Sequence, residues 1–190
     1  MFQTLVDRVD IIGDDKVGGI AGGAYRIGTV EVGVDGSSGD IDGDEAVGGI
    51  YGWSARSVIA ISYVADIDIN KDDEDEDTVG GVIGEADSDS LSQVYTSLDI
   101  ENDDDEQGLI GDWGGNTNDK PIAIWTHYDT DKTSSHTFVG VSGKTTDELE
   151  EGEASDGSDL TDMDIIYNGW DEDDWDFGSS SQLPELENTP

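Results

Sequence analysis

The residues best suited to chemistry in this chain are carboxylates set at alternate positions. Asp66, Asp68, Asn70, Asp72 and Asp77 follow a D-x-D-x-N spacing, and a hard cation such as calcium needs several oxygen donors close together. Calcium is the cofactor this segment suits, and no other cofactor is expected. Two features oppose it. Lys71 stands where a helix-loop-helix calcium site needs glycine for its sharp turn, and Ile67 and Ile69 alternate with the acids as core residues would. A solvated acidic turn accounts for the same residues without a metal. Asp40, Asp42 and Asp44 form a second, weaker cluster open to the same two readings.

Other constellations are thinner. Paired carboxylates cleave polysaccharides on some β-helices, but 47 Asp and Glu single out no pair. His127 and His136 are the only histidines, and His127, between Trp125 and Tyr128, reads as a packing residue. The chain has no cysteine, which removes thiol nucleophiles, thiolate metal sites and disulfides. It also contains no Gly-x-Ser-x-Gly elbow. The glycine-rich segments lack the lysine and the strand-to-helix context of a phosphate loop. No catalytic residue is assigned, and the chain is expected not to be an enzyme.

What would position any such residue is a repeat. Gly18-Gly19-Ile20-Ala21-Gly22, Gly48-Gly49-Ile50-Tyr51-Gly52, Gly80-Gly81-Val82-Ile83-Gly84 and Gln107-Gly108-Leu109-Ile110-Gly111 share one frame, with starts 30, 32 and 27 residues apart. Asp10-Ile11, Asp40-Ile41 and Asp99-Ile100 each precede their segment by eight residues. Asp66-Ile67 precedes its own by fourteen, which places a six-residue insertion in the acidic run from Lys71 to Glu76. This period, with β-branched stretches such as Val58 to Val64, predicts an all-β, parallel β-helix-like solenoid of about four coils. The expected coils are residues 10–39, 40–65, 66–98 and 99–118, within a repeat region spanning 1–118. Stacking would align Ile20, Ile50, Val82 and Leu109 in one interior column, and Ile11, Ile41, Ile67 and Ile100 in another. The glycines would sit where a corner bends or where backbones approach too closely for a Cβ.

Residues 119–190 read as a C-terminal capping segment. Thr145-Thr146-Asp147-Glu148 has the capping-box form and predicts a short helix to about Glu151. Trp170, Trp175, Phe177, Leu183 and Leu186 supply apolar area to pack over the last coil, or a surface on which a glycan stacks.

The tetrads from Gly19, Gly49, Gly81 and Gly108 resemble the GLUG-motif repeats (Gly-Leu-any-Gly) of large bacterial and archaeal surface proteins. Ile or Val replaces Leu in three of them. The segment holding Trp125, Asp129-Thr130, Gly143 to Leu149, Trp170, Trp175 to Gly178 and Leu183 to Leu186 is similar to one that often follows such repeats. The resemblance implies a solenoid in extracellular or cell-surface, adhesin-like proteins, and it implies no catalytic site. Gln107 in place of the first glycine departs from the pattern, as does the acidic insertion.

Charge narrows the setting. Eight basic residues against 47 acidic ones give −39, spread along all 190 residues. Charges repel over about 10 Å in dilute buffer but only about 3 Å at molar salt, so the surface suits a halophile better than an acidic protein in ordinary salt or a nucleic-acid mimic. Nucleic acid is not an expected partner, because no Lys/Arg cluster exists. No membrane span is present, and Asp7, Arg8, Asp10, Asp14 and Asp15 exclude a signal peptide from the first twenty residues. The expected function is a structural or adhesive module of an extracellular or cell-surface protein. Self-association or a neighbouring subunit is expected at an uncovered N-terminal edge, and a surface glycan is a further expected partner. The alternative is a carbohydrate-binding or carbohydrate-processing β-helix.

Overall fold

The computed structural model describes residues 3–71, 78–101, 108–113, 120–133, 140–151, 154–155, 166–177 and 181–187. Successive strand sets stack into an all-β solenoid of about three turns. The first set holds β1 (Thr4–Asp7), β2 (Ile11–Ile12), β3 (Lys16–Gly18) and β4 (Ala21–Tyr25). The second holds β5 (Gly28–Gly43), β6 (Ala46–Gly48) and β7 (Tyr51–Ala55); the third holds β8 (Val58–Lys71), β9 (Thr78–Gly80) and β10 (Ile83–Asp87). β11 (Ser90–Glu101) and β12 (Ile110–Trp113) follow, then β13 (Ile122–Asp129) and β14 (Val141–Lys144). Three parallel sheets result: β1-β5-β8-β11-β13-β14 with β2 beside β5, β3-β6-β9, and β4-β7-β10-β12. The large sheet thus continues through β13 and β14, past residue 118.

Register explains why each coil needs its neighbours. Gly28 pairs with Val58, Val58 with Ser90 and Ser90 with Ile122, offsets of 30, 32 and 32 residues. Each interior side chain therefore lies on its counterpart one coil away. Ile50, Val82 and Leu109 are fully buried and linked by backbone hydrogen bonds, Ile50 N to Val82 O and Val82 N to Leu109 O, with Ile20 partly buried at the head of the column. Val17, Val47 and Val79 form a second buried column.

The column predicted through Ile67 is corrected. Ile11 pairs with Ile41, Ile41 with Ile69 and Ile69 with Ile100. Ile67 is buried as well, but pairs with Gly39. The repeat frame in the third coil is therefore Asp68-Ile69, which lies twelve residues before Gly80. Four residues are inserted there, because six residues separate β8 from β9 where two separate β5 from β6. A second irregularity sits between Asp35 and Gly39, opposite Ala65 and Ile67.

The motif glycines are demanded by close approach. A Cβ at Gly19 would press on Gly49 O, one at Gly49 on Gly81 O, and one at Gly81 on Gly108 O. None of them has a positive φ. The left-handed corners are instead held by side-chain-bearing residues in vertical files: Arg26, Arg56 and Ser88 in one, Glu31, Ile61, Gln93 and Trp125 in another, with φ between 50° and 60°. The second file resets the in-out alternation of the long strands, so that Thr29 and Val32, three apart, both face inward.

After β14, Thr145 caps α1 (Thr146–Glu150) with the reciprocal Thr145–Glu148 capping box expected from sequence. Then come β15 (Ala154–Ser155), β16 (Tyr167–Asn168), β17 (Trp175–Asp176) and β18 (Glu185–Leu186). The aromatics of this segment pack along the flank of the large sheet, not over the last coil as the sequence suggested. Leu5, Gly33, Tyr63, Tyr95 and His127 share one register row on the outer face. Trp170, Trp175, Tyr167 and Leu186 form a second core with Tyr63 and Tyr95 from that row. Tyr63 and Tyr95 stack at 5.5 Å, and Trp175 lies within 6.3 Å of both. The outer row offers a flat apolar patch, whereas an open coil end offers unpaired backbone.

The glycine geometry yields a paired prediction. Gly81→Ala should destabilise the fold by about 3 kcal/mol, since backbone one coil away cannot yield easily. Gly28→Ala, whose Cβ meets nothing within 4 Å, should change stability by less than about 1 kcal/mol. Denaturant melts of both variants in molar KCl check this, and equal losses would contradict the close-approach assignment.

Candidate functional site

Of the proposed calcium residues, Asp66, Asp68 and Asn70 lie along β8. Ile67 and Ile69 are buried, while Asp66 and Asp68 are exposed. Asp68 pairs in register with Asp40 and Asp99. Asn70 donates from Nδ2 to Asp42 Oδ1 at 2.9 Å. Asp66, at a left-handed φ of 51°, turns away to another feature. Asp72 and Asp77 lie outside the described residues. Among the described residues no three His, Cys, Asp or Glu side chains are placed to hold a metal ion.

Asp66 instead lines a cleft of about 270 Å³ between the outer face of the large sheet and the flanking segment. Asp35 on β5, Tyr63 and Asp66 on β8, and Tyr95 on β11 form its floor; Glu150 of α1 and Glu185 of β18 line the flank side. Lys132, which also lines the cleft, approaches Asp66 Oδ1 to 3.4 Å.

Local bonding fixes these walls. The buried Asp129 carboxylate accepts from Ser97 Oγ at 2.8 Å, Thr146 Oγ1 at 2.7 Å and the Asp131 amide at 2.9 Å, tying α1 to the end of β13. Tyr95 Oη donates to Pro184 O, and Gln93 Nε2 donates to Gly169 O at 2.6 Å, so β11 holds the flank at two points. Antiparallel pairing of Trp175 with Leu186 and Asp176 with Glu185 turns Leu186 into the aromatic core and Glu185 toward the cleft.

The electrostatics follow from burial. Tyr63 is 2% exposed, and its phenol is pushed up by burial first and then by the charges of Asp35, Glu185 and Asp66. It stays protonated, a neutral hydroxyl among carboxylates. His127, read from sequence as a packing residue, is buried between Tyr167 and Trp170, with both ring centroids at 5.9 Å. Burial drops its pKa to about 4, the nearby Lys144 charge also lowering it and the backbone of Ile166 and Ser142 partly opposing. Neither ring nitrogen makes a well-formed hydrogen bond.

Sequence reasoning singled out Asp66 for another role and missed Asp35, Tyr63, Tyr95, Lys132, Glu150 and Glu185. One signal was available: Tyr63, Tyr95 and His127 lie 32 residues apart, the coil length, and so share a row. Compared with known proteins, the chain matches no family model, no curated protein and no solved structure.

The buried histidine sets a pH dependence. The unfolded chain protonates His127 near pH 6.5 and the folded chain near pH 4. Its contribution is constant above pH 6.5 and is lost as pH falls toward 4, for about 3 kcal/mol in all. His127→Phe keeps the ring and removes the titration. The stability of the parent minus that of H127F, from denaturant melts at pH 7 and pH 4, should fall by that amount; taking the difference cancels the carboxylates. A constant difference would mean that the imidazole is solvated.

Proposed function

We propose that this chain is a structural module, adhesive or assembling, of an extracellular or cell-surface protein from a salt-adapted organism. The observation that carries the reading is the in-register acid row on the outside of the coils. Asp40, Asp68 and Asp99 occupy one row on adjacent strands, and all three are exposed. Neighbouring strands are about 4.8 Å apart, and like charges set directly opposite each other destabilise a sheet. Molar salt shortens the reach of that repulsion to about 3 Å. The total charge of −39 acts in the same direction.

The resemblance of the four glycine tetrads to GLUG repeats supports a surface location and a non-catalytic role. The open strand edge of the first coil supports assembly as part of this reading. Among the described residues β1, β3 and β4 each have a strand neighbour on one side only, and Ile12 and Tyr25 beside them are exposed. Such an edge accepts a further strand, and the partner we assign to it is a second copy or a neighbouring subunit. The glycan reading gains nothing from Trp170 and Trp175, which are 1% exposed.

Two measurements test the reading. Far-UV circular dichroism should lose its strand signal on dilution from molar to millimolar KCl, and Asp68→Asn should recover about half a kcal/mol at low salt and nothing at high salt. A signal indifferent to salt would remove the halophilic setting. Light scattering in molar KCl should show mass rising with protein concentration, and a strict monomer at every concentration would remove the assembling edge.

A further inference from the structure

We propose that the cleft between the large sheet and its flank is a binding site for a primary alkylammonium ion, the end group of a diamine, a polyamine or a lysine side chain. Four carboxylates line it, those of Asp35, Asp66, Glu150 and Glu185, against the single ammonium of Lys132. Acids alone would make only a charged surface. The second observation is Tyr63. Its side chain is 2% exposed and lines the cleft, and no hydrogen bond from the described residues reaches its hydroxyl. The charges of Asp35, Glu185 and Asp66 act on that hydroxyl through space alone. Tyr95, stacked beside it, has its own hydroxyl committed to Pro184 O. One buried, protonated phenol is thus left open toward the carboxylates.

An ammonium ion fits this set by its bonding. It has three N–H donors and no acceptor, so it can donate to two carboxylates and to the phenol oxygen, while the phenol donates to a third. A bare divalent cation fits less well, since no three carboxylates among the described residues converge at metal distance. Lys132, 3.4 Å from Asp66, shows that an ammonium is accepted at the mouth. The site is independent of the structural role proposed above, and either can fail without the other.

The test is calorimetric titration of the full chain in molar KCl, where diffuse counterion association is suppressed, with 1,5-diaminopentane and with Nα-acetyl-lysine methylamide. 1,5-Pentanediol is the uncharged control. One-to-one binding of an amine and none of the diol is expected, and whichever amine binds tighter identifies a free amine or a protein side chain as the source. D35N/E185Q should weaken binding at least tenfold. Y63F should weaken it about fivefold, one hydrogen bond's worth, and K132M should strengthen it. Circular dichroism matching the parent keeps misfolding from passing as loss of the site. Equal binding by parent and D35N/E185Q would overturn the proposal, because those two acids are a small part of 47 and only diffuse attraction would then remain. No amine binding by the parent would overturn it as well.

Discussion

Every side chain in a parallel solenoid must tolerate its own counterpart about 4.8 Å away on the next strand. Most of this molecule follows from that condition. Inside, it selects aliphatic residues, which gain from stacking on their like, as in the Val17–Val47–Val79 and Ile11–Ile41–Ile69–Ile100 columns. At the tight corners it excludes a Cβ altogether at Gly19, Gly49 and Gly81, while a Cβ at Gly108 would press on the Tyr128 side chain. Outside, it turns each repeated acid into a row of like charges, whose repulsion reaches less far as ionic strength rises. The glycine motif and the acid rows are two outcomes of one spacing.

The flanking segment alters what kind of object the solenoid is. Stacked coils touching only their neighbours behave as a one-dimensional array, in which stability is a sum of local terms. Here the flank reaches β5, β8, β11 and β13 together: β18 touches β5 and β8, Tyr95 bonds Pro184, and Trp170 Nε1 donates to the carbonyl of Trp125. Contacts spanning 89 residues close large loops, and such loops slow folding while joining the coils into one cooperative unit. The cleft exists because of this arrangement, since its floor belongs to the sheet and its far wall to the flank.

Much of the fold was legible in the sequence because a repeat states its own register. The glycine tetrads and three of the four Asp-Ile pairs marked true rows, and the Thr145–Glu148 capping box marked the helix start to the residue. The slip to Ile67 has a physical origin. Asp66-Ile67 and Asp68-Ile69 are adjacent copies of the same dipeptide, both isoleucines are buried, and only the pairing distinguishes them. The flank was read as an end cover because composition reports that aromatics need burial, not which surface receives them. The cleft was harder still. Its residues come from six separated stretches, and Asp35 or Glu185 looks like any other acid until the fold brings it beside Tyr63.

The flank also bears on how the molecule would respond to a pull. In a bare stack the backbone hydrogen bonds run along the long axis, so tension on that axis would part the coils one interface at a time, as a zipper opens. A strap fastened across four successive strands sets those interfaces in parallel. Slippage of any one of them must then shear the packed rings of Tyr63, Tyr95, Trp170 and Trp175, so the load is shared and failure becomes a single event.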